Sequence, residues 1–169
     1  MMQKTIILLG SARSNGNTRK IVDKLLEKIT ADFVDLKQLH IAPFDYDQKN
    51  PKDDLIPLME RMLSYDNIIL ATPVYWYNMS GIMKTFFDRL SDVISIRKDI
   101  GRALKGKNMS VVICSSDKVE YPWMYPPFSE TANYLDMNYK AQLFSWIEEN
   151  QVPDVIEKAI DQFIIDMHK

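Results

Sequence analysis

Between Gly10 and Thr18 the chain places Ser11, Ser14, Asn15, Asn17 and Thr18, five hydroxyl or amide side chains, together with one arginine, Arg13. Each of them can donate a hydrogen bond and none is acidic, which is the chemistry of an anion site. A helix starting just after this stretch would add unpaired N–H groups and a partial positive charge. Capping that helix needs only one residue, Asn17 or Thr18. Ser11, Arg13, Ser14 and Asn15 are then left without a task, so phosphate binding is the expectation. The dinucleotide pattern Gly-x-Gly-x-x-Gly is missing, and so is the Gly-x-x-x-x-Gly-Lys-Ser/Thr loop for nucleoside triphosphates. A terminal phosphomonoester remains.

A second unusual stretch runs Thr72-Pro73-Val74-Tyr75-Trp76-Tyr77-Asn78-Met79-Ser80-Gly81. Three aromatics in succession cannot all point inward, and exposed clustered aromatics mark a partner. Packing under neighbouring loops or in a subunit interface would account for any single one of them. As a group, beside a phosphate site, Pro73, Val74, Tyr75, Trp76 and Tyr77 suit the face of a flat heteroaromatic ring, which points to flavin mononucleotide (FMN).

These stretches need a scaffold, and the hydrophobic pattern supplies one. Lys4–Gly10 is a short apolar run suited to a strand buried on both faces. Ile21, Val22, Leu25, Leu26 and Ile29 then draw one apolar stripe down a helix. The alternation repeats: a strand over Phe33–Leu36, a loop over Asp45–Asp54, a helix with Leu55, Leu58, Met59 and Met62 inward, and a strand over Asn67–Ala71. After a helix carrying Ile82, Met83, Phe86, Phe87 and Leu90 come strands over Met109–Cys114 and, more weakly, Tyr139–Phe144. A short helix is expected near Ser129–Leu135, and a final one has Val155, Ile156, Ala159, Ile160, Phe163, Ile164 and Met167 on one side.

Five strands alternating with helices predict a flavodoxin-like α/β three-layer sandwich, a single domain over residues 1–169 with a parallel sheet of order 2-1-3-4-5. Ligands of such sheets bind beyond the carboxyl ends of strands 1 and 3, where the order reverses. The loops Ser11–Asn17 and Thr72–Gly81 are therefore expected side by side.

Composition narrows the function further. The 169 residues carry 21 Lys plus Arg against 23 Asp plus Glu, a net charge of -2, which disfavours a nucleic-acid partner. The single cysteine, Cys114, excludes an intramolecular disulfide and any metal site needing several thiolates from one chain. The apolar run at the N-terminus is too short for a membrane helix, so a cytoplasmic location without membrane attachment is expected. The run Arg97, Lys98, Arg102, Lys105 and Lys107 reads as a solvated connection. Tyr121–Phe128, rich in proline and aromatics, reads equally as a lid, a dimer contact or a packed crossover.

Gly10-Ser11-x-Arg13-x-x-Gly16-Asn17-Thr18, then Thr72-Pro73-Val74-Tyr75-Trp76-Tyr77, then Gly81-x-x-Lys84-x-x-x-Asp88-Arg89, resembles the NAD(P)H-dependent FMN reductase family of flavodoxin-like oxidoreductases. The resemblance spans about the first 90 residues. It implies FMN with its phosphate on Ser11, Arg13, Asn17 and Thr18 and its ring along Pro73–Tyr77. Ser115, Ser116 and Asp117 would form a third wall. It also implies NAD(P)H as co-substrate, a small-molecule electron acceptor (quinone, flavin, azo or nitro compound), and a homodimer or homotetramer. Chemistry would reside in the flavin, with no catalytic triad. The iron-sulfur flavoprotein branch carries a cysteine cluster near Leu39–Asn50, where this chain has none, so no cluster is expected. A flavodoxin-type electron carrier is the alternative, disfavoured by the mild charge. A non-flavin phosphate binder would leave the aromatic loop unexplained.

Overall fold

The computed structural model describes residues 3–47 and 52–169. The chain order is β1 (Thr5–Leu9), α1 (Asn17–Lys28), β2 (Asp32–Asp35), α2 (Leu55–Met62), β3 (Asn67–Tyr75), β4 (Asn78–Met79), α3 (Gly81–Asp88), α4 (Leu90–Ser95), α5 (Lys98–Ala103), β5 (Asn108–Ser115), α6 (Pro126–Tyr134), β6 (Asn138–Trp146) and α7 (Asp154–Met167). Single 3-10 turns sit at Leu36–Gln38 and Pro122–Met124.

The sheet runs β2-β1-β3-β5-β6 and every neighbour on that path is parallel. Apart from the hairpin strand β4, this is the expected 2-1-3-4-5 order. Side chains alternate across β1, and the two cores follow from that alternation. Ile6 and Leu8 join the layer built by α2 to α6, while Ile7 and Leu9 join the layer built by α1 and α7. All five β1 residues are buried, as a strand covered on both faces requires. Among the described residues no helix is long and apolar enough to cross a membrane.

The structure departs from the sequence pattern in several places. β3 does not stop at Ala71 but continues through Tyr75 and folds back as β4, pairing Val74 with Met79 and Tyr75 with Asn78. β-branched and aromatic residues at Val74 and Tyr75 favour that extension. β2 ends one residue early, at Asp35, because Leu36 turns inward to open the 3-10 turn. The basic stretch contains a real helix, α5, pinned by buried Ile100. α6 begins at Pro126, earlier than expected, since prolines are tolerated in a first helical turn. β6, weak in sequence, is nine residues long. Residues 48–51 of the expected Asp45–Asp54 loop lie outside the described residues.

Candidate functional site

Strand register brings the two informative loops together. Leu9 pairs with Ala71, and the Gly10 N–H donates to the Ala71 carbonyl at 2.8 Å. Ser80 then ties the loops directly. Its hydroxyl donates to the Gly10 carbonyl at 2.6 Å and accepts from the Met83 N–H at 3.1 Å, so one buried side chain both caps α3 and bridges to β1. The Ser80 N–H in turn donates to the Thr72 hydroxyl at 3.0 Å. Gly10 permits the approach: a Cβ there would lie 2.8 Å from the Met83 Cβ and 3.0 Å from its Cα, neither of which can swing away.

In the first loop, Ser11 is buried and its hydroxyl accepts the Arg13 N–H at 3.2 Å, while Arg13, Asn15 and Asn17 lie exposed on the rim. The helix cap falls on Gly16, not on Asn17 or Thr18, and no side chain caps α1. Its first turn also lacks any acidic residue. The donors at the start of α1 are thus not consumed by a capping side chain, and a phosphate ester fits them chemically. Thr18, buried like Ser11, opens α1 on the side of the Cys114 thiol. Burial pushes that thiol up to about 11, against the pull of the Ser145 and Thr18 hydroxyls, so Cys114 stays neutral and behaves as a core residue.

The second loop is a hairpin. Trp76 and Tyr77, at φ of 49° and 63°, form a two-residue turn with both residues in the left-handed region, a conformation usually given to Asn and Gly. Tyr75, Trp76 and Tyr77 are 41%, 92% and 57% exposed, so the hairpin presents its aromatics outward rather than to the core. Pro73 and Val74 are half-buried beneath them. Edge-on against Tyr77 stands Tyr121, with ring centroids 5.4 Å apart, and Trp123 lies 4.9 Å beyond. The Tyr121–Phe128 segment therefore packs on the hairpin, with Trp123 59% exposed. Burial, Asp117 and Tyr77 together raise the Tyr121 hydroxyl above its ordinary value, keeping it a neutral donor.

The third loop lies where the register requires, since Pro73 pairs with Cys114. Ser115 is buried, and its hydroxyl bonds Asp117 Oδ1 at 3.0 Å. Asp117 also accepts the Val119 N–H at 3.1 Å, so its carboxylate is directed to its own loop. Ser116 and Asp117 are exposed. All thirteen expected site positions thus lie in three adjacent loops at the carboxyl edge of the sheet or in the strand and helix ends that flank them.

Sequence reasoning missed the side chains that support them. Ser80 was readable as a serine cap ahead of a helical stripe. Lys37 and Gln38 were not: they reach the first loop only because β2 pairs with β1. Lys37 Nζ donates to the Ala12 carbonyl at 2.8 Å, and Gln38 Nε2 to the Ser14 hydroxyl at 3.2 Å. Arg89, part of the third motif, is a structural residue. It is 2% exposed and pairs with buried Asp53 and with Asp92. Burial opposes the charge on Asp53, but bonds from Arg89 and from the Leu55 and Ala42 N–H groups outweigh it and hold its carboxyl below the usual range.

The sequence profile described as NADPH-dependent FMN reductase matches residues 3–121. The Bacillus subtilis protein YwqN, whose assigned name is that of an NAD(P)H-dependent FMN-containing oxidoreductase, is 26% identical over 164 residues, covering 90% of this chain and 89% of its own. A Staphylococcus aureus FMN-dependent NADPH-azoreductase is 31% identical over 98 residues, and that match spans 52% of each chain. Among solved structures, the Trp repressor binding protein from Bacillus subtilis superposes with a TM-score of 0.77 at 22% identity, covering 95% of this chain and 97% of the other. That last likeness concerns the fold.

Proposed function

The chain belongs to the NADPH-dependent FMN reductase family, and from that footing we propose that its three carboxyl-edge loops bind FMN for reduction of a small aromatic acceptor by NAD(P)H. FMN, when bound, supplies the redox chemistry, taking a hydride from a nicotinamide and passing reducing equivalents to the acceptor. The protein's part is to hold, orient and shield. Ser11, Arg13, Asn15, Asn17 and Thr18 hold the phosphate with the start of α1. Pro73, Val74, Tyr75, Trp76 and Tyr77 lie along the ring, and Ser115, Ser116 and Asp117 close the third side. Backbone N–H groups near the Trp76–Tyr77 turn, beyond the ladder pairs of the hairpin, support negative charge on the reduced ring.

The observation that carries this reading is a juxtaposition. A carboxylate-free loop opening a helix without a capping side chain sits beside an outward-facing aromatic hairpin, and the buried Ser80 hydroxyl joins the two. The acceptor is a quinone, flavin, azo or nitro compound; the azo class is supported by the azoreductase named among the relatives. The enzyme is placed in the cytoplasm as a homodimer or homotetramer, with the exposed aromatics of the hairpin and of Trp123 near the subunit contact.

The test is the visible spectrum of the purified protein, reconstituted with FMN, before and after anaerobic addition of NADH or NADPH, followed by an azo dye or a quinone. Prompt bleaching and reoxidation by the acceptor are expected. A protein that cannot be loaded with FMN would sink the reading. At residue level, Asn17→Ala with Thr18→Ala should weaken FMN binding by about tenfold or more while the domain still melts cooperatively.

A further inference from the structure

We propose that Lys37 is the second cation of the phosphate subsite and that it makes this protein select a phosphorylated flavin over the unphosphorylated one. The inference rests on the FMN reading above and extends it to a residue outside the motifs that carry it.

Parallel pairing sets the position. Leu9 of β1 lies opposite Asp35 of β2, so the turn Leu36–Gln38 comes off the sheet beside the loop that begins at Ser11. Leu36 is buried and anchors the turn, and Asp35 Oδ1 accepts the Lys37 N–H at 3.0 Å, turning that carboxylate toward backbone. Two consecutive side chains then cross to the loop: Lys37 Nζ to the Ala12 carbonyl and Gln38 Nε2 to the Ser14 hydroxyl. Lys37 spends one ammonium proton at Ala12, and an ammonium carries three.

Charge accounting identifies Lys37 among the cations nearby. Arg19 is paired with Asp23, and Lys20 donates to the Asn150 carbonyl at 3.1 Å. Among the described residues neither Arg13 nor Lys37 takes part in an ion pair. A phosphate monoester carries about -1.5 to -2 at neutral pH. Arg13 and the roughly half positive charge at the start of α1 offset about 1.5 of that, so at the doubly ionised limit about half a charge is left, which Lys37 more than covers.

The experiment titrates the flavin-free protein with FMN and with riboflavin, following the quenching of flavin fluorescence, for wild type, Lys37→Met and Lys37→Arg. Lys37→Met should weaken FMN by about 10- to 100-fold and leave riboflavin within about twofold, the range set by one charge-assisted bond. Lys37→Arg should recover most of the FMN affinity, and Lys37→Met should flatten the salt dependence of FMN binding. Equal weakening of both flavins would make Lys37 a scaffold for the loop and overturn the proposal. So would FMN bound as tightly by Lys37→Met as by wild type. A wild type that takes up neither flavin would overturn the FMN reading itself, a separate outcome.

Discussion

Removing the Ser80 hydroxyl should loosen the site more than any change to the exposed loop residues. Ser80→Ala deletes two bonds at once, the cap on the Met83 N–H and the donor to the Gly10 carbonyl. Loss of a serine cap costs about 1 kcal/mol. The Gly10 carbonyl loses its donor at a position where Ser80 is 1% exposed, and an acceptor left without a partner in such a place costs about 1–3 kcal/mol. The sum is about 2–4 kcal/mol, or roughly 5–15 °C in melting temperature for a chain of this length. The backbone bond from Ser80 to the Thr72 hydroxyl remains, so the hairpin should stay folded while its position against the first loop relaxes. The assay pairs thermal melts of the flavin-free protein with FMN titrations of wild type, Ser80→Ala and Ser80→Thr. Ser80→Ala should lose both stability and at least about tenfold in FMN affinity, while Ser80→Thr, which keeps a hydroxyl, retains much of each. A Ser80→Ala melting point within about 2 °C of wild type corresponds to less than about 1 kcal/mol and would refute the reasoning.

Two further changes probe other links. Trp76→Gly should stabilise the flavin-free protein by about 1 kcal/mol, because it relieves a left-handed tryptophan that is 92% exposed and loses little packing. A lower melting point for that variant would mean that the Trp76 ring holds the hairpin. Asp53→Asn should cost about 3–5 kcal/mol at neutral pH, measured by urea unfolding, since it leaves the buried Arg89 with one carboxylate fewer. Asp53 is held below its ordinary value of 3.8, so its contribution is complete above that pH and fades as pH falls through the folded value. The gap between wild type and variant should therefore be constant above 3.8 and narrow below it; a gap that widens on acidification would contradict the assignment.

The positions of the three loops were legible in the sequence because two periodicities, strand and helix, bracket them cleanly. Lys4–Gly10 with the Ile21–Ile29 stripe placed the first loop, and the parallel topology placed the second beside it. What escaped depends on tertiary register. No local signal connects Lys37 to Ala12, 25 residues apart, because the link exists only when β2 lies against β1. The hairpin was read as an irregular loop because Trp76 and Tyr77 are poor residues for a turn with positive φ, so the usual Asn-Gly mark is missing. Arg89 looked like a motif residue, yet its partner Asp53 sits 36 positions away, and burial made it structural. Thr18 was expected on the phosphate, and its burial at the start of α1 depends on packing that the composition of the loop does not show.

The position of β1 has a consequence for the birth of the chain. It is synthesised before both of its partners, yet in the finished sheet it lies between β2 and β3, and its second partner begins only at Asn67. Until then Ile6 to Leu9, fully buried in the end, have neither their later neighbour nor the α7 layer to cover them. The nascent chain thus carries this buried apolar strand without its β3 and α7 cover until those elements have been made, a stretch on which a chaperone would act.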